Sequence, residues 1–211
     1  MDILAKLFGS EAKVKIMRLF LFNPEQPFSP SDIAIRAKVS LITVRHEATR
    51  IRKMGMIKGK RFSRTVSIKR GKKIFRRKKK EGGWILNPAF PYLPAIRSLL
   101  INTVLVKYSD IIRRLNSVGR MKLVVISGVF IHNEDSRVDL LVVGDSIRLS
   151  SLKNVIKGIE SEIGKELRFA AFETADFKYR FSMYDKLIRD ILDYPHRTIL
   201  DRLGLGGTWN I

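Results

Sequence analysis

The chain has no cysteine, which excludes disulfides and cysteine-ligated zinc and leaves nothing that calls for an oxidising compartment. Histidine is nearly as scarce: His46, His132 and His196 are scattered, without metal-ligand spacing. Long hydrophobic runs are missing as well. The longest apolar stretch in the middle of the chain is broken by Asn102, Lys107 and Asp110, which argues against a bilayer span. The opening MDILAKLFGSEAK sets acids and lysines inside its apolar pattern, unlike a signal peptide. The expectation is a soluble cytoplasmic protein with no cofactor, no metal and no membrane partner.

A further absence is local. No acid falls between Lys58 and Lys80, where 13 residues are Lys or Arg. The imbalance extends beyond that run: residues 1–90 carry 23 basic and 6 acidic residues, whereas residues 91–211 carry 18 and 14. One half is thus suited to a polyanion and the other is ordinary. A strip this dense neutralises phosphates and releases counterions, giving salt-sensitive affinity. Phe62, Val66, Ile68, Ile74 and Phe75 are interleaved among the charges, which predicts a β-hairpin rather than a solvated tail. Its strands are expected over 62–69 and 73–79, with Arg70-Gly71-Lys72 as the turn and Gly82-Gly83 ending the element. Phe62 and Phe75 are its only candidate platforms for stacking RNA bases, and core packing explains them more simply.

Ahead of the hairpin, three helices are legible. Ser10 caps one that runs to about Phe22, where Asn23-Pro24 stops it. Ser29-Pro30-Ser31-Asp32 starts a short helix over 31–37 that turns Ile33, Ala34 and Ala37 inward. Ser40 then caps a helix over 40–54 whose Leu41, Val44, Ala48 and Ile51 form one apolar face. Thr43, Arg45, His46, Thr49, Arg50 and Lys53 lie opposite. Gly55 ends this helix, and Met56-Ile57 opens a strand.

The stretch VS-LITVRHEATRIRKMGMI resembles the winged helix-turn-helix of small bacterial and archaeal transcription regulators, over about residues 3–87. The resemblance implies a nucleoid-associated, DNA-binding regulator of transcription with double-stranded DNA as its partner. Its recognition helix (40–54) would enter the major groove. There Ser40 and Thr43 would bond phosphates or bases, Arg45 would fork onto a guanine beside His46, and Arg50 and Lys53 would hold the backbone. The basic wing, about 58–80, would lay Lys60, Arg61, Arg64, Lys69, Arg70, Lys72, Lys73, Arg76 and Arg77 on phosphates. A homodimer would match a palindromic site.

After a domain over 1–87, the proline-rich stretch from Asn87 to Pro94 marks a boundary. Residues 88–118 read as linker and connecting helix, with one amphipathic helix over 94–115. Residues 119–211 read as a small α/β domain with strands at 122–127, 137–144 and 167–172. Its helices are expected at 150–163, 174–181 and 184–192, with a short element at 198–203. The fold class is therefore α/β (α+β), a winged helix-turn-helix followed by a second small domain.

In that domain VVISGVFIHNEDSRVDLLVVGD resembles the signature of minimal nucleotidyltransferases. The family pattern is Gly-Ser, a loop, then Ser-Asp-hydrophobic-Asp, the aspartates holding divalent metals on a nucleotide's phosphates. Thr174, Asp176, Phe177 and Arg180 resemble a helix of the same domains. Here the pair reads Ser127-Gly128, Arg137 replaces the first aspartate, and only Asp139 remains, with Glu173 just past the third strand. Ser127, Gly128, Ser136 and Asp139 are accordingly expected to form a relic nucleotide site without catalytic residues; a nucleotide effector is compatible with it, but no residue supports one. Asp139 has a second reading, as the partner of Arg137 or another nearby base. The alternative function is a metal-dependent nucleotidyltransferase acting on RNA or protein, with Asp139 and Glu173 sharing the metal.

Overall fold

The computed structural model describes residues 3–70, 73–101, 106–133 and 135–205, with backbone alone over 66–70 and 73–76. The architecture is mixed α/β with two small sheets. It divides into two compact units, 1–103 with 161–165, and 104–160 with 166–211. Among the described residues no helix is long and apolar enough to cross a membrane.

In the first unit α1 (Ile3–Phe8), α2 (Glu11–Phe22), α3 (Pro30–Ala37) and α4 (Leu41–Lys53) precede the hairpin β1 (Ile57–Arg70) and β2 (Lys73–Leu86), and α5 (Leu93–Ile101) follows. Side chains fix the helix starts, because the first turn of a helix leaves backbone N–H groups without partners. Ser10 Oγ accepts from the Lys13 N–H at 3.2 Å. A reciprocal capping box opens α3: Ser29 Oγ accepts from the Asp32 N–H, and Asp32 Oδ2 accepts from the Ser29 N–H. Lys38 then takes a left-handed conformation (φ 51°), and Ser40 Oγ receives the Thr43 N–H at 3.1 Å to start α4. The apolar sides of α2, α3 and α4 close over Ile16, Met17, Phe20, Phe28, Ile33 and Val44, with Phe20 and Phe28 edge to face at 5.6 Å.

Two expectations about this unit need correction. Leu41 is not on the buried face of α4 but 38% exposed, and Glu47 is buried beside Val44, Ala48 and Ile51. Position 47 lies one turn from Val44 and Ile51, so the wheel takes it inward whatever its polarity. Gly82 and Gly83 do not break the hairpin either; they are paired inside β2, opposite Arg61 and Lys60. Gly83 is needed there because a Cβ would stand 2.1 Å from the Phe28 carbonyl oxygen. That close approach lets Phe28 and Trp84 exchange two backbone hydrogen bonds of 2.9 Å, which fasten the hairpin's root to the helices. Each strand is therefore longer than expected, 14 residues, or about 45 Å from end to end. The expected turn residues Gly71 and Lys72 lie outside the described residues.

The second unit holds α6 (Tyr108–Asn116), β3 (Arg120–Ile126), β4 (Leu140–Asp145), most of α7 (Leu149–Ile163), β5 (Phe169–Glu173), α8 (Thr174–Ser182), α9 (Lys186–Leu192) and β6 (Arg197–Asp201). Its sheet runs β5-β4-β3-β6, with β4 and β5 parallel and the other pairs antiparallel. A core on this unit joins Leu123, Val125, Leu141 and Val143 of the sheet to Phe177, Ile188 and Ile191 of the helices. The single helix expected over 94–115 is instead α5 and α6. Lys107 is extended and its carbonyl starts the hydrogen bonding of α6. The second strand begins at Leu140 rather than 137.

Candidate nucleic-acid interface

Because α4 buries Val44, Glu47, Ala48 and Ile51, the residues on the far side of its wheel face solvent. Ile42, Arg45, His46, Thr49 and Lys53 make that outward stripe, all exposed, with Arg50 and Arg52 along its margins. Ser40 and Thr43, at the helix start, share a hydroxyl–hydroxyl hydrogen bond of 2.7 Å, so each is oriented by the other. Thr49 donates its hydroxyl to the Arg45 carbonyl at 2.7 Å.

Glu47 works from behind this stripe. Its carboxylate lies 3.8 Å from Lys13 Nζ on α2 and 3.9 Å from both the His46 ring and the Arg50 guanidinium. A buried carboxylate thus lies within ion-pairing distance of His46 on the stripe and Arg50 at its margin.

The hairpin supplies the second cationic surface. Lys58, Lys60, Arg61, Arg77, Lys78, Lys79 and Lys80 are exposed. Residues directly opposite each other share a face, and alternate residues along a strand do too. Ser63 opposite Lys80 and Thr65 opposite Lys78 therefore join Arg61, opposite Gly82, on a stretch of one face whose side chains are hydroxyls and cations. Phe62, Arg64, Lys79 and Glu81 lie on the other face. Lys79 is paired with Glu81 at 3.2 Å. The side chains of Lys69, Arg70, Lys73 and Arg76, and Lys72 entirely, lie outside the described residues.

Arg64 differs from the other expected phosphate contacts. Its guanidinium donates to the Asp32 carboxylate at the start of α3, and Glu81 is 3.9 Å away. Burial pushes the Asp32 carboxyl up, but the hydrogen bonds from Arg64 and Ser29 and the Arg64 charge outweigh it, so the carboxyl titrates below its ordinary range. Arg64 in turn is held above its ordinary value by Asp32. Its role is to brace the hairpin against the helices, with its charge already balanced.

Three residues of the expected relic site, Ser127, Gly128 and Asp139, come together in the second unit, and their contacts are internal to the fold. Asp139 is 2% exposed. Its Oδ1 accepts from the Val129 N–H at 3.0 Å, and its Oδ2 accepts from the Arg168 N–H at 2.8 Å and Arg168 Nε at 3.3 Å. Ser127 donates its hydroxyl to the Val138 carbonyl. Gly128 has φ +57°, and a Cβ there would fall 2.0 Å from Asp139 Oδ1. Ser136 is buried without a hydrogen-bond partner for its hydroxyl among the described residues. The ion-pair partner of Asp139 is Arg168 and not Arg137, which instead pairs with Asp190 at 2.8 Å.

Glu173 closes β5 instead of lying past it, and its two oxygens accept from the Ser146 and Ile147 N–H groups. Register places Glu173 level with Gly144, whereas Asp139 precedes Leu140 at the other end of β4. At about 3.3 Å per residue the backbones of the two residues are roughly 17 Å apart, too far for their carboxylates to share a metal. No group of three or more His, Asp or Glu with metal-holding geometry occurs among the described residues.

Sequence reasoning missed Ile42, Glu47 and the Asp32–Arg64 brace. A helical wheel drawn from Arg45 and His46 passes through Ile42 and would have flagged it. No sequence signal pairs Asp32 with a residue 32 positions away. Comparison with protein-family models, with curated proteins and with solved structures gives no match for the chain.

Proposed function

We propose that the chain is a sequence-reading regulator of transcription, with a winged helix-turn-helix as its first unit and double-stranded DNA as its ligand. The observation that carries this reading is the pairing, in one compact unit, of an outward cationic helix stripe with a long basic hairpin. α4 ends at Lys53 and β1 begins at Ile57, so only Met54-Gly55-Met56 separates the two surfaces. A helix fits the major groove and presents its first turns to base edges, where Arg45 matches the O6/N7 pair of guanine. The hairpin is longer than one helical turn of B-DNA, about 34 Å, and its hydroxyl-and-cation face suits phosphates. Arg50 and Lys53 fall to the backbone, and Arg64 holds the hairpin in place.

The second unit is read as a nucleotidyltransferase-like fold with a dismantled metal site, serving as a dimerisation or effector module. Light scattering on the full chain tests the dimer: a monomeric mass removes it. Metal-dependent transfer is the weaker reading, since Asp139 is fully bonded inside the protein and Glu173 caps a loop far from it.

In vitro selection from a random duplex library at two salt concentrations, with Arg45→Ala alongside, tests the main proposal. An enriched motif that blurs at one base pair in the variant is the expected result. Salt-sensitive retention without any motif would reduce the protein to a polyanion binder.

A further inference from the structure

The outward stripe of α4 runs through Arg45, His46, Thr49 and Lys53 and begins at Ile42, which is 81% exposed. A fully solvated isoleucine is an odd choice on a helix surface. It has lower helix propensity than Ala, Lys or Glu, and it gains nothing from burial in the isolated unit. It also points directly away from Val44 and Ile51, so no small shift of the helix would bring it into the core. One turn on along the same stripe stand Arg45 and His46, with Arg50 and Lys53 about two and three turns on. Whatever covers Ile42 must therefore offer an apolar group on its floor and negative charge at its rim.

A thymine in the major groove has that chemistry. Its C5-methyl stands in the groove floor, flanked by two phosphate strands, and it is the only apolar group any base presents there. Ile42 lies in the first turn of α4, the part of such a helix that meets base edges. Resting on the DNA-binding reading above, we infer that Ile42 is a specificity residue that selects a T·A pair by packing its side chain on the thymine methyl. Leu41 is adjacent and 38% exposed, but it lies to one side of the stripe. Arg45, one turn on, then reads a neighbouring base pair on the same strand.

Replacing thymine by deoxyuridine tests the idea, because it deletes the methyl and keeps every hydrogen-bonding group. The probe is the duplex enriched by selection on the full-length protein, with each thymine exchanged in turn for deoxyuridine. One position should weaken binding of the wild type about fourfold, the worth of one buried methyl. Ile42→Ala should bind the thymine and deoxyuridine duplexes equally, whereas Ile42→Val should keep most of the difference. The exposed site makes these variants safe for folding.

An enriched motif with no deoxyuridine-sensitive position overturns the inference and leaves the regulator reading standing. Discrimination that survives in Ile42→Ala likewise overturns it, by giving the methyl contact to another residue. A wild-type dimer that becomes a monomer in Ile42→Ala would assign the residue to an interface between copies and overturn it too. If selection enriches no motif, both readings fall together.

Discussion

Lys78 and Lys80 lie on one face of β2, opposite Thr65 and Ser63, and both are exposed. Neither has a carboxylate within ion-pairing distance among the described residues, unlike Arg64 and Lys79. Each is therefore free to neutralise a phosphate. Exchanging both for alanine removes two contacts, and each contact contributes about −0.9 to the slope of log affinity against log salt. The double variant should show a slope shallower by about 1.8. Raising salt fourfold, from about 50 to about 200 mM, should thus shrink its deficit against wild type by roughly twelvefold. Fluorescence anisotropy with the selected duplex and with a scrambled duplex, titrated at four or more salt concentrations, reads this directly. The loss should be equal on both duplexes, because phosphates carry no sequence. An unchanged slope, or a loss confined to the selected duplex, would refute the assignment of this face to the backbone.

Three further outcomes follow from the internal ion pairs. Asp32→Ala removes half of the capping box and the brace to Arg64, and should lower stability by about 1 kcal/mol at neutral pH in urea unfolding. Since the folded carboxyl titrates below its unfolded value of about 3.9, that contribution is complete above this pH and disappears as pH falls through the lower folded value. A deficit for the variant that persists undiminished in acid would count against the brace. Glu47→Leu should leave the melting temperature unchanged or raise it, because Oε2 is buried without a hydrogen bond and the ion pairs are long; a large fall would mean the carboxylate is a structural anchor. Asp139→Ala strands the Val129 and Arg168 backbone N–H groups, while the half-exposed Arg168 guanidinium keeps water as a partner, and should cost about 1–3 kcal/mol in thermal or chemical unfolding. A mild effect there would reopen Asp139 as a functional ligand.

The sequence alone determined the local elements of the first unit. Ser10, Ser29 and Ser40 cap their helices because a hydroxyl one residue before a helix reaches the unpaired N–H groups, and that depends only on near neighbours. The acid-free run with interleaved apolar residues likewise marks a hairpin, and its composition marks a strongly basic surface. Tertiary structure decided the rest, where the partner comes from far along the chain. Gly83 reads as a breaker until the Phe28 backbone is seen to approach it. Arg64 reads as one more phosphate contact until Asp32 balances its charge. Asp139 reads as half a metal site until the parallel register of β4 and β5 carries Glu173 to the opposite end of the sheet and delivers Arg168 instead. Propensity and capping act over about one turn of helix, so they are written in the order of residues. Ion pairs and close backbone contacts act through space, so only the folded chain assigns them.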